Sequence, residues 1–166
     1  MPTILRPTRG GEASIPNQDR AIAIAKERGA DLLFLYVSNV HFLDRVASAV
    51  LVDVEAELEE LGEFLLSMAL ERAEKAGVRA KTTTRRGQFR PALEDVIKEH
   101  EEITTVVLGT ATGGTGVLPP GYLEDLVQEL LSEPGVEVFV LDAGEIVEHR
   151  KPGMDTSALV GPSDSD

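Results

Sequence analysis

The chain has no cysteine and no tryptophan. The first absence rules out disulfides, thiolate catalysis and cysteine-based metal sites. The second, with aromatics at only 4% of 166 residues, leaves the core to Leu, Val, Ile and Ala. Hydrophobic residues still reach 42%, enough for one core in a chain of single-domain length. Basic residues are scarce: 16 Lys and Arg stand against 29 Asp and Glu, a formal net charge of -13. Binding nucleic acid by displacing phosphate counterions needs a basic face, and so does docking on an anionic membrane, so neither partner is expected. No apolar run approaches the roughly 20 residues of a membrane span. The opening stretch MPTILRPTRGG lacks the apolar core of a signal peptide, and a cytoplasmic location is the default expectation.

What is present alternates. Residues 3–6 form a short, mostly apolar run stopped by Pro7, and a Gly-, Ser- and Pro-containing loop follows over residues 8–16. Asn17 or Asp19 is suited to cap a helix starting near Gln18, in which Ala21, Ile24, Ala25 and Arg28 share a face before Gly29 ends it. Residues 31–38 are continuously apolar at strand length, which predicts burial on both faces, as in a parallel sheet. Residues 39–53 carry no clear period. From 54 to 76 a helical period predicts an inner stripe of Leu58, Leu61, Leu65 and Met68, with glutamates on the solvated side.

Residues 78–85 alternate and read as a less buried strand before a turn at Gly87. A helix over 90–101 has Pro91 in its first turn and Leu93, Val96, Ile97 and His100 inside. Residues 104–108 read as the fourth strand, 121–131 as a helix and 136–141 as the fifth strand, an apolar edge. The pattern fades after Asp142, so the domain is set at residues 1–142 and a mobile tail at 143–166. The order predicts an α/β fold, a doubly wound five-stranded parallel sheet with helices on both faces.

In such a sheet, ligands bind beyond the carboxyl ends of the strands, where the strand order reverses. Arg6, Thr8 and Arg9 lie at the end of the first strand; Tyr36, Ser38 and Asn39 at the second; Arg85, Arg86, Gly87 and Gln88 at the third. After the fourth comes 109-GTATGGTGVLPPG-121. In an acidic chain, Arg6, Arg9, Arg85 and Arg86 beside a glycine- and threonine-rich loop suit an anion, phosphate most obviously. The alternative is that these arginines pair with surface carboxylates and the glycines only make a turn.

Four stretches occur in a fixed order: 3-TILRPTRGGE-12, the LLFLYV strand, 87-GQFRPALEDVIKE-99, and VVLGT leading through the glycine loop and a helix to VEVFVL. Together they resemble the universal stress protein family over residues 2–142. The resemblance implies an adenine nucleotide alpha hydrolase-like fold, a stress-response role, and homodimers often formed through the last strand. In members that bind ATP it implies a fourth loop of the form Gly-x2-Gly-x9-Gly-Ser/Thr. Gly109 matches the first glycine of that loop. The second falls on Thr112, with Gly113 one residue late. Gly121 best matches the last, but Tyr122 stands where a small hydroxyl residue belongs, and Pro119 and Pro120 remove two N–H donors. At the first strand, Arg9 replaces the Asp that contacts adenine in the family, exchanging an acceptor for a cation. The candidate ligand contacts are Pro7, Thr8, Arg9, Val37, Arg86, Gly87, Gly109, Thr110, Thr112, Gly113, Gly116 and Gly121, for ATP or another anionic small molecule.

Other chemistries fail at their own residues. A phosphorelay receiver needs acidic residues where this chain has Arg6-Pro7-Thr8-Arg9, and a Lys where it has Ala143. No Gly-x-Gly-x-x-Gly follows the first strand, and no Gly-Lys-Ser/Thr triplet or Gly-x-Ser-x-Gly elbow occurs. His41, His100 and His149 are too far apart in sequence for a spaced ligand motif. No general base can be named for attack on a γ-phosphate, so no catalytic or metal residue is assigned. The expectation is a non-enzymatic, dimeric regulatory module with an anion or adenine-nucleotide pocket. The alternatives are an interaction module with a vestigial pocket, acting through the acidic helix, the dimer surface or the tail, and an ATP-cleaving enzyme.

Overall fold

A computed structural model describes residues 2–8, 14–38, 48–109 and 121–153, with backbone alone over 48–59. Among these residues the elements are β1 (Thr3–Pro7), α1 (Ile15–Arg28), β2 (Asp31–Ser38), α2 (Ser48–Lys75), β3 (Ala80–Arg86), α3 (Phe89–Glu99), β4 (Ile103–Gly109), α4 (Tyr122–Ser132), β5 (Glu137–Asp142) and β6 (Glu145–Arg150). They build one sheet in the order β3-β2-β1-β4-β5-β6. The first five strands run parallel, as their alternation with helices requires, and β6 is antiparallel to β5.

Two apolar layers sandwich the sheet. Ile4, Phe34, Val107, Phe139 and Leu141 pack under α1 and α2 together with Ile22, Leu66 and Ala69. Leu5, Leu35, Val106, Leu108 and Val138 pack under α3 and α4 together with Leu93, Val96, Leu126 and Leu130. Alternate residues of the same strands thus feed opposite layers, which is why β1, β2, β4 and β5 read as unbroken apolar runs. β3, at the outer edge, is half-exposed along its length.

Three expectations need correction. The sheet has a sixth strand, within residues expected to form a tail. Ala143 and Gly144, with φ of 50° and 87°, make the tight turn that folds β6 back onto β5. β5 is therefore an inner strand and β6 takes the edge; residues 154–166 lie outside the described residues. The second correction is at α1, which begins at Ile15 with Pro16 in its first turn rather than near Gln18. Asn17 does not cap it, because its side chain is used elsewhere.

The third correction is the face that α2 buries. Gly62, Leu66, Ala69 and Ala73 face the sheet, while Leu61, Phe64 and Met68 are 49%, 60% and 43% exposed. Small residues win this face because they let the helix lie close to β2. At Gly62 the fit is so tight that a Cβ would stand 2.5 Å from the Tyr36 ring. A periodicity count weights large residues and so picked the wrong side of the helix.

Candidate functional site

The strand order reverses between β1 and β4. From β1 the chain crosses by α1 to β2 on one side; from β4 it crosses by α4 to β5 on the other. A crevice opens at the carboxyl ends of such a pair. Here the parallel pairing of β1 with β4 runs to Leu5 beside Val106, and beyond it Pro7 and Thr8 on one strand and Leu108 and Gly109 on the other lie at the same ends.

Thr8 is buried, and its backbone N–H donates to Leu35 O at 2.8 Å, which ties the end of β1 to β2. Its hydroxyl accepts a hydrogen bond from Gln18 Nε2. The same Gln18 amide reaches Ser14 Oγ at 3.2 Å, and its carbonyl accepts from Arg72 of α2. Asn17, one residue earlier, is also buried; its Oδ1 accepts from the Gly144 N–H at 2.7 Å. Its Nδ2 lies 2.8 Å from the place a Cβ on Gly109 would occupy, so only glycine fits there without a shift.

Under this cluster sits Arg6, 5% exposed. Its Nη1 donates to Val107 O at 3.1 Å, and its Nη2 lies 3.6 Å from the Cβ position of Gly109. Its Nε is buried and has no acceptor among the described residues. Burial lowers its pKa to about 10, and at neutral pH it is still a cation.

The other arginines do not join it. β2 separates β3 from β1, so the β3 end stands two strand spacings, about 10 Å, from the β1 end. Tyr36, Ser38, Thr84, Arg85 and Arg86 line a separate basin of about 120 Å³ there. Arg85 is held by Glu99 and by Thr83 Oγ1. Gly87, at φ 111°, donates its N–H to Ser38 O at 3.0 Å and closes the β3 turn. Val37 is half-buried against the layer under α3 and α4, and Gly121, at φ 80°, caps the start of α4. Arg9, Thr110, Thr112, Gly113 and Gly116 lie outside the described residues.

Sequence reasoning placed Arg6 at a strand end but did not foresee its burial, and it read Asn17 as a cap. A signal existed. Gln18, Ala21 and Ala25 share one helical face, so a polar pair at the head of that face had to meet the sheet. Chemically, the described cluster offers donors and one positive charge. Among the described residues no group of three or more His, Cys, Asp or Glu is placed to hold a metal ion, and no helix is long and apolar enough to cross a membrane.

A family model described as the universal stress protein family matches residues 1–118. The chain belongs to the universal stress protein family. Solved structures share its fold. A universal stress protein family member from Burkholderia pseudomallei aligns at 20% identity over 84% of this chain and 94% of that one, with a TM-score of 0.62. A universal stress protein in complex with cAMP aligns at 23% identity over 85% and 95%, with a TM-score of 0.55. A universal stress protein family protein from Arabidopsis thaliana with AMP bound aligns at 13% identity over 86% and 92%, with a TM-score of 0.54. No curated protein sequence matches the chain.

Proposed function

We propose that this universal stress protein is a non-enzymatic cytoplasmic regulatory module whose β1–β4 crevice takes an adenine nucleotide or another anionic small molecule. One observation carries the reading: the switch point gathers Thr8, Gly109 and a cationic Arg6 in a chain that is otherwise strongly acidic. Two relatives of the same fold, described with cAMP and with AMP, support an adenine ligand. The loop after Gly109 departs from the ATP-binding spacing, so AMP and cAMP are to be tested beside ATP. Calorimetric titration of AMP, cAMP and magnesium ATP into nucleotide-free protein decides it. Micromolar binding of any of them supports the reading, and silence from all three at millimolar concentration overturns its adenine-nucleotide form.

The second reading, an interaction module with a vestigial pocket, has its own observation in the exposed Leu61, Phe64 and Met68 on one side of α2. Its test is replacement of Phe64 by Ser, which would release a bound partner without altering small-molecule binding. In either reading we propose a homodimer, with a partner copy added at the open edge of β6 rather than at β5.

A further inference from the structure

The least explained group in the described structure is the guanidinium of Arg6. It is a buried cation at the end of an inner strand, and no described carboxylate faces it. Burial lowers its pKa, and no described charge opposes that effect. Its single described hydrogen bond, through Nη1 to Val107 O, is to a neutral acceptor. A buried charge without a counter-charge is costly, and a buried N–H without an acceptor adds to that cost. Of the described arginines with a buried side chain, Arg6 alone sits at the switch point.

The unsatisfied atom has a direction. With Nη1 engaged, Nε and Nη2 form the side of the guanidinium that presents two parallel N–H groups, the arrangement that fits two oxygens of one oxyanion. Nη2 is the Arg6 atom nearest Gly109, 3.6 Å from the position a Cβ there would take, at the end of β4. Asn17 Nδ2 lies over the same glycine, and its orientation is fixed because its oxygen already accepts from Gly144. Two side chains from different elements, α1 and β1, therefore bring donors to the end of β4 at Gly109.

We propose that the Nε–Nη2 edge of Arg6, with Asn17 Nδ2, is an oxyanion-binding site that holds a phosphoryl group at the floor of the β1–β4 crevice. The inference rests on the crevice reading above and makes it specific: the charge is met from beneath by a β1 arginine. Free phosphate and the phosphate of a nucleotide carry the same chemistry, and the choice of probes separates them.

The test uses the full chain, as wild type and as Arg6→Met and Arg6→Lys, titrated with inorganic phosphate, AMP and adenosine. Wild type is expected to bind phosphate and AMP. Arg6→Met is expected to lose at least tenfold in both while adenosine binding is unchanged, and Arg6→Lys to fall between, because it keeps charge but not the fork. Without ligand, Arg6→Met is expected to melt no lower than wild type, because removing an uncompensated buried charge relieves a cost. If AMP binds Arg6→Met within twofold of wild type, the crevice reading stands and the role of Arg6 is overturned. If phosphate binds in an Arg6-dependent way and adenosine never binds, the site stands and the adenine reading falls. If no probe binds wild type, both fall. Should Arg6→Met not fold, the Nε–H resonance of Arg6 in wild type gives the answer. A shift on adding phosphate is expected, and an unmoved resonance at saturating phosphate overturns the proposal.

Discussion

Arg28, in the last turn of α1, meets Glu137, the first residue of β5, through two parallel hydrogen bonds of 2.7 and 2.9 Å. Two further donors converge on the same carboxylate, Thr105 Oγ1 at 3.1 Å and a ring nitrogen of His149 on β6. The Arg28 guanidinium also lies 5.0 Å from the centre of the Phe139 ring, on which His149 stacks at 4.0 Å. One carboxylate thus ties α1, β4, β5 and β6 together.

The hydrogen bond from Arg28 is the largest influence on Glu137 and holds its carboxyl down to about pH 2, against the opposing effect of burial. The folded pKa is below the ordinary 4.5, so the stabilisation is complete above that value and is lost as pH falls toward 2. Glu137→Gln is expected to lower stability at pH 7 by about 1 kcal/mol, discounted for the partial exposure of Arg28, and to flatten the acid limb below pH 4.5. Urea melts at several pH values measure both. An acid limb as steep as wild type in the variant would contradict the assignment.

Gly62 sits in the interior of α2, where replacing glycine by alanine ordinarily adds about 1 kcal/mol of stability. Here the new Cβ would stand 2.5 Å from two atoms of the Tyr36 ring. Gly62→Ala is expected to destabilise instead, by about 1–3 kcal/mol. Adding Tyr36→Ala makes room and is expected to recover part of the loss, a coupling that denaturant melts of the two single variants and the double variant read directly.

Gln18 links three elements: its amide donates to Thr8 at the end of β1, and its carbonyl accepts from Arg72 on α2. Gln18→Met keeps the length but leaves the buried Thr8 hydroxyl without that donor. The expected cost is about 1–2 kcal/mol, measured by chemical denaturation. An unchanged midpoint would show that the bridge contributes nothing.

The open edge of β6 exposes Ile146 and Val147. If a second copy adds there, Val147→Lys is expected to convert dimer to monomer, since an edge lysine opposes strand pairing. Sedimentation across a concentration series gives the answer, and a dimer that survives the substitution moves the interface elsewhere.

The parallel sheet was readable because β1, β2, β4 and β5 are inner strands and their apolar runs are unbroken. β6 was not, because EIVEHR at an exposed edge has no buried face to write a pattern. The buried side of α2 was misread because close packing selects small residues such as Gly62 and Ala69, which a hydrophobicity count discounts. At the site, strand ends could be located from sequence, but which arginine went inside could not. Arg6 closes the apolar run of residues 3–6 just before a proline, and a charged residue at a strand end ordinarily reaches solvent. Only the pairing of β1 with both β2 and β4 encloses it.

The Asn17 carboxamide links two stretches 35 residues apart in sequence, accepting from Gly144 at the β5–β6 turn with its oxygen while its nitrogen lies over Gly109 at the end of β4. The turn amide is consequently a ready-made reporter. Any event that pulls the Asn17 nitrogen toward the crevice must lengthen or shorten the 2.7 Å bond at Gly144. Glycine amides resolve well in proton–nitrogen spectra, so this one signal offers a label-free readout of crevice occupancy from the rim of the molecule.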